Sequence, residues 1–276
     1  MLYKPSTLQL NNLRHLSHPR YRGCVAHWLL NDGNGLNATD ISGFRLTGVL
    51  TNIATSAWVS GPYGYALSFD GGSGDRVQTA ETNFITNHNQ LHSAFAWVYR
   101  IGNNVNQAIW SFGEFDDTDF GTALGVNTSN ALCWLPNGYS TRVHSSGITV
   151  PLNAWAFVGF VRDTTSNVTI YVNGAKAAVS ATDNETVGSD PHLLGRTMVN
   201  AAQSGSVWNG YIDNVRVYKR ALKPDEVASL YANPFLEFKS FRRLVVNAAA
   251  AAGQPRLLRD FGIPTSGRGR MGAGWN

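Results

Sequence analysis

An all-β, antiparallel two-sheet sandwich or jelly roll is the fold class this sequence predicts, and three observations predict it. About a dozen short apolar runs recur at even spacing, each closed by Gly, Asn or Asp. The chain is rich in turn-formers and ring side chains, with 28 Gly, 8 Trp, 10 Tyr and 13 Phe. Helical periodicity is almost absent. The 276 residues suffice for one large sandwich, and 43% hydrophobic against 14% charged residues exclude disorder throughout.

In chain order, Cys24 to Leu30 reads as a strand, stopped by Asn31-Asp32-Gly33-Asn34-Gly35, with a further turn at Asp40-Ile41-Ser42-Gly43. Tyr65 to Asp70 is the next strand, ended by Gly71-Gly72, and Arg76 to Thr79 continues it. Ser93 to Ile101 ends at Gly102-Asn103, and Gln107 to Phe112 ends at Gly113. Gly121 to Val126 and Ala131 to Leu135 follow. Ala154 to Arg162 and Asn167 to Val172 form a predicted hairpin across residues 163–166. Asn173-Gly174 then turns into Lys176 to Ser180, the strongest hairpin signal in the chain. Gly210 to Tyr218 closes the series. Pro224 to Tyr231 is the one predicted helix, with proline and two acids in its first turn and Asn233-Pro234 at its end.

Alternation along Ala154 to Arg162 puts Trp155, Phe157, Gly159 and Val161 on one face and Ala156, Val158 and Phe160 on the other. Both faces are apolar, as expected of a central strand covered on both sides. Trp28, Trp97 and Trp155 are accordingly expected in the core.

Charge divides the chain into three. Residues 1–23 carry +4, residues 24–234 carry −5 and residues 235–276 carry +5. The expected organisation is a basic N-terminal arm (1–23), a sandwich (24–234) and a basic Gly/Arg-containing C-terminal arm (235–276). Arms of this sign favour an acidic partner surface or a neighbouring subunit. Their candidate contact residues are Arg14, Arg20, Arg22, Phe238, Phe241, Arg242, Arg243, Arg268 and Arg270. Without the repeated aromatics of a stacking groove, nucleic acid is not the expected partner. Cys24 and Cys133 do not make a disulfide framework; two buried thiols are expected, with a single bridge between them as the alternative. No signal-peptide pattern opens the sequence and no stretch is long enough to span a membrane.

Six segments in order carry a family resemblance: Trp28-Leu29-Leu30-Asn31-Asp32-Gly33, Ala66-Leu67-Ser68-Phe69-Asp70-Gly71, Phe95-Ala96-Trp97-Val98, the run from Trp155 to Asp163, Ile170-Tyr171-Val172-Asn173-Gly174, and Gly210 to Tyr218 with Arg220-Ala221-Leu222 and Glu226. They resemble the laminin-G-like group of the concanavalin A-like lectin/glucanase superfamily over about residues 24–234. The resemblance implies a jelly roll of two packed sheets. It implies a structural Ca²⁺ at Asp213 with backbone carbonyls, Gly64 supplying one, since hard cations take several oxygens. It also implies surface glycan binding, for which Trp134, Trp208, Tyr139, Asn137 and Arg142 are candidates: aromatic platforms with hydrogen-bonding neighbours. A hydrolase alternative rests on Glu114, Asp116 and Asp119, which resemble the Glu-x-Asp-x-x-Glu strand of glucanases but end in aspartate. Four acids within six residues read more simply as a solvated loop, so a non-enzyme is expected.

The run Leu230-Tyr231-Ala232-Asn233-Pro234-Phe235 followed by a basic tail resembles laminin-G-like proteins encoded in phage-like genomes. The functional expectation is a non-catalytic structural or decorating protein of a virion, a homo-oligomer or a partner of other virion subunits, with the sandwich displayed and the arms attaching it. The alternative is a free, extracellular carbohydrate-binding module.

Overall fold

Alternating side chains and frequent tight turns produce sixteen strands in the computed structural model, which describes residue 4 and residues 16–238 except 73, 83, 104, 114–120, 137–142, 184–185, 188–189 and 198–205. The chain divides into two units, Met1–Phe238 and Lys239–Asn276, and every described residue belongs to the first. The strands are β1 (Cys24–Trp28), β2 (Asn37–Ala38), β3 (Gly48–Thr51), β4 (Trp58–Ser60), β5 (Tyr65–Asp70), β6 (Arg76–Thr82), β7 (His92–Arg100) and β8 (Gln107–Phe112). They continue as β9 (Thr122–Val126), β10 (Ala131–Leu135), β11 (His144–Thr149), β12 (Trp155–Arg162), β13 (Asn167–Val172), β14 (Ala175–Ser180), β15 (Asp190–Leu194) and β16 (Asn209–Tyr218). The α-helix α1 (Pro224–Ala232) follows.

Two antiparallel eight-stranded sheets result. One runs β14-β13-β12-β7-β16-β5-β4 with β1 also pairing β16, and the other runs β11-β10-β9-β8-β15-β6-β3-β2. Their inner faces meet in one large apolar core that includes Trp28, Phe69, Trp110, Phe112, Leu124, Trp134, Phe160 and Trp208. This is the sandwich the sequence predicts. The β13–β14 hairpin turns at Asn173 and Gly174 with φ of 48° and 85°, the paired positive values of a type I′ turn.

Five strands escape the sequence reading. Three of them, β2, β3 and β4, are two to four residues long. The edge strand β11 reads His-Ser-Ser-Gly-Ile-Thr and has no buried residue. In β15, Pro191 looks like a strand breaker. It is tolerated because pairing with β8 begins only at His192, so the missing N–H lies beyond the end of that ladder.

The outer face of the first sheet carries a second apolar layer. Phe95, Trp97, Phe157, Val161, Tyr171 and Tyr218 lie under Leu222, Val227 and Leu230 from α1 and its approach. Glu226 at the third helical position accepts from the Lys223 N–H at 2.8 Å and from both terminal nitrogens of Arg220 at 2.8 and 2.7 Å.

A buried charge cluster joins the two ends of this unit. Glu237 accepts from Arg20 Nη1 at 3.0 Å and from Arg216 Nη2 at 2.5 Å. Arg20 also donates to the Ser229 and Asn233 carbonyls at the C-terminal end of α1, at 2.7 and 2.5 Å. A guanidinium there satisfies orphan carbonyls and complements the helix dipole. Arg20 and Glu237 fall outside the sandwich limits of 24–234 expected from charge, yet both are buried in this unit. Cys24 and Cys133 are free and buried, and burial pushes their thiols up to about 12 and about 11.

Candidate functional site

Three strands that are neighbours in the first sheet carry an aromatic residue in the same register. Trp155 on β12 stands directly opposite Tyr99 on β7, and Tyr99 stands opposite Tyr211 on β16. Directly opposed residues in an antiparallel pair project from one face. That face is the outer one, because the alternate residues Ala156, Val98 and Ile212 enter the core. The three rings converge into a triangle with centroid separations of 5.2 Å (Tyr99–Tyr211), 5.7 Å (Tyr99–Trp155) and 6.2 Å (Trp155–Tyr211). All three are half-buried, so each keeps part of its surface toward solvent, while α1 covers the apolar layer one row further on.

Local backbone brings the row together. Gly210, just before Tyr211, has φ of 140°, and a Cβ there would stand 2.0 Å from the Tyr99 carbonyl oxygen. Only glycine lets β16 approach Tyr99 so closely. Polar groups adjoin the rings. Ser68 on β5 faces Tyr211 in register, and Asn209 faces the exposed carboxylate of Asp70 in the next register pair. An exposed ring patch beside a hydroxyl, an amide and a carboxylate can stack on the C–H face of a sugar while bonding its hydroxyls.

A cleft of about 340 Å³ lies further across the same sheet, lined by Val161, Asp163, Thr169, Tyr171, Lys176, Ala178, Leu222 and Pro224. Its aromatic residue, Tyr171, is only 6% exposed and presents no ring face for stacking. The ring triangle is therefore the stronger candidate.

The residues singled out by sequence are placed differently from that expectation. Trp134 is fully buried, donates to Thr122 Oγ1 at 2.8 Å and lies beneath the Arg162 guanidinium at 5.0 Å. Arg162 in turn donates to the carbonyls of His88, Thr165, Ala181 and Asp183. Trp208 is fully buried in the core. Neither indole can serve as a glycan platform, because the inner sheet faces cover both. Trp155 is the converse correction: expected in the core, it is half-exposed at the end of its strand. Trp28 and Trp97 are buried as expected. Asn137, Tyr139, Arg142, Glu114, Asp116 and Asp119 lie outside the described residues.

Among the arm residues, Arg20 is bound to Glu237 and α1, and the Phe238 ring lies 6.4 Å from that of His27. The Arg22 carbonyl accepts from Arg220. These three contacts are made within the domain. Arg14, Phe241, Arg242, Arg243, Arg268 and Arg270 lie outside the described residues.

Asp213 is fully buried on β16, opposite Trp97, and burial pushes its carboxyl up to about 6 against the opposing pull of Lys4. Its Oδ1 forms an ion pair with the Lys4 ammonium. The Asn214 amide is near, but neither carboxylate oxygen has a well-formed hydrogen bond, so the contact with Lys4 is an ion pair. Lys4 Nζ also donates to the Tyr65 carbonyl and approaches the Leu30 carbonyl at 3.5 Å. The carbonyl of Gly64 accepts instead from the Gly61 N–H at 2.6 Å. No group of three or more His, Cys, Asp or Glu able to hold a metal occurs among the described residues.

Tyr99 and Tyr211 were legible as outward positions by alternation, but their coincidence with Trp155 depends on register between strands far apart in sequence. The available signal was an aromatic next to the turn at one end of each strand.

The match to known proteins agrees with this architecture. Residues 70–228 match the laminin-G-like model of the concanavalin A-like lectin/glucanases superfamily, and the chain belongs to that family. Among solved structures it resembles domain 4 of AbnA, a GH43 extracellular arabinanase from Geobacillus stearothermophilus in complex with arabinotriose. That similarity has a TM-score of 0.59 at 20% identity, over 75% of this chain and 98% of the other. It also resembles the binding domain of Paraclostridial Mosquitocidal Protein 1, with TM-score 0.60 at 14% identity over 79% of this chain and 53% of the other. Trypanosoma rangeli sialidase in complex with sialic acid matches with TM-score 0.54 at 16% identity, over 79% of this chain and 34% of the sialidase. The chain thus spans about half of the mosquitocidal binding domain and about a third of the sialidase. No curated protein matches.

Proposed function

We propose that this chain is a non-catalytic carbohydrate-binding module whose contact surface is the Trp155–Tyr99–Tyr211 patch. The observation that carries this reading is the convergence of three partly exposed rings in one register, with Ser68, Asn209 and Asp70 alongside. The patch is the size of one sugar ring, so it fits a terminal or single internal residue of a glycan. Arabinotriose in a structurally similar arabinanase domain, matched over nearly its full length, makes short arabinose oligomers the first ligands to try.

A role in a virion, with terminal segments gripping neighbouring subunits, rests on the charge separation and on the resemblance of residues 230–235 and the basic tail to laminin-G-like proteins of phage-like genomes. Arg20 and Phe238 make their observed contacts inside the domain. Hydrolysis rests on Glu114, Asp116 and Asp119, outside the described residues.

The test is a glycan array followed by calorimetric titration of the best ligand, beginning with arabino-oligosaccharides. Trp155→Ala and Tyr211→Ala are each expected to weaken binding about fivefold, since a lost stacking contact is worth about 1 kcal/mol and tenfold is about 1.4. Tyr171→Phe, in the cleft, is expected to leave binding unchanged. Retained affinity in both patch variants, or no glycan bound by the intact chain, overturns the reading.

A further inference from the structure

A carboxylate with no exposed surface, such as that of Asp213, persists in the charged form only beside a compensating cation. Lys4 supplies one, and its side chain is as completely buried as that of Asp213. The surroundings have the form of a cation cradle. Leu30, with φ of 52°, and Tyr65 each turn a carbonyl toward the ammonium. The segment after β1 and the start of β5, which carry them, are tied together by the Tyr65 N–H donating to Asn31 Oδ1 at 2.9 Å. The Lys4 backbone N–H donates to the Tyr63 carbonyl at 3.1 Å, fixing main chain as well as side chain.

The number of oxygens decides which cation suits the cradle. The Leu30 and Tyr65 carbonyls accept from the ammonium and Asp213 Oδ1 pairs with its charge, three oxygens around a group with three N–H donors. Calcium requires about six to eight oxygens at bonding distance. The donor set at Asp213 therefore suits an ammonium and falls short of calcium, against the ion that the family resemblance implies there.

We propose that the Lys4 ammonium is the resident cation of this cradle, taking the structural place of a divalent ion, fastening residue 4 to the sandwich and making the fold independent of calcium. The positive charge arrives on the chain itself, so it does not vary with the ionic composition outside. The same contact keys residue 4 to β5 and β16, more than 60 and 200 positions away.

The test uses the intact chain. Thermal melts in excess EDTA and in millimolar calcium chloride are expected to coincide. Reductive methylation of the native protein, read by mass spectrometry, is expected to leave Lys4 unlabelled while the exposed Lys176, Lys219 and Lys223 react. Lys4→Ala is expected to lower Tm by about 10 °C, the scale for stranding a buried charge in a domain of this size. Adding Asp213→Asn to that variant is expected to restore a large part of the loss. A Tm raised by calcium or lowered by EDTA in the unaltered chain overturns the proposal. So does labelling of Lys4 at the rate of the exposed lysines, a reading that holds even if the variants fail to fold.

Discussion

His192 shows how one side chain sets the acid limit of this fold. Its ring is packed among Trp28, Trp110 and Phe112, with centroids 5.6, 5.9 and 4.8 Å away. Nδ1 accepts from Trp110 Nε1 at 3.2 Å, so the imidazole is held in a neutral form. Burial pulls its pKa down to about 3, and that of the equally buried His92 to about 4. In the unfolded chain both titrate near 6.5. Below that pH the unfolded chain binds more protons than the folded one, so stability falls as pH falls, until the folded values are reached. At pH 5 the two histidines together cost on the order of 4 kcal/mol. Asp213 acts in the opposite direction: its folded carboxyl, raised to about 6, takes up a proton before the unfolded one does and returns about 1 kcal/mol. Urea unfolding at pH 7 and pH 5 is expected to show a net loss of roughly 3 kcal/mol. His192→Asn, which keeps an acceptor for Trp110, is expected to remove about half of the histidine contribution. An undiminished pH dependence in that variant would transfer the effect to other groups.

At the scale of the strand, alternation was legible and register was not. The β12 pattern separated Phe157 and Val161 from Ala156, Val158 and Phe160 correctly, because a period of two is a property of one segment. The ring triangle depends on β12, β7 and β16 lying side by side in one register, which no single segment encodes. Trp134 and Trp208 were misread for the same reason: an indole outside a family pattern looks available until the opposite sheet is seen to cover it. Gly210 is the sequence feature that fixes the register locally. Gly210→Ala forces both a positive φ on alanine and a Cβ into the Tyr99 carbonyl, so a loss well above 2 kcal/mol is expected. Gly35→Ala is the comparison, with a positive φ of 77° and nothing within 4 Å, and is expected to cost about 1 kcal/mol. Equal losses in denaturant melts would show that backbone angle alone, and not the approach of β16 to Tyr99, governs the site.

For the molecule as a whole, the sandwich was legible because turn chemistry and alternation repeat along the chain, whereas the buried ion cluster was not, because its members lie on segments far apart in sequence. Arg20 and Glu237 look like parts of two solvated basic ends. Folded, they meet at 3.0 Å in a cluster that also includes Arg216, so both residues are packed into the domain. The consequence can be measured by where the chain is cut. A fragment ending at residue 238 keeps Glu237 between its two guanidinium groups. A fragment ending at residue 234, the limit that charge suggests, strands Arg20 and Arg216 without their carboxylate and removes Phe235 from its contact with Tyr63. Leaving a buried charge unpaired costs about 3–5 kcal/mol, or roughly 10 °C in Tm for a domain of this size. The shorter fragment is expected to melt lower by at least that amount, and Glu237→Gln in the longer one is expected to reproduce most of the difference. If the two fragments melt together, the Arg20–Glu237–Arg216 cluster contributes nothing net and the domain ends where the charge pattern first placed it.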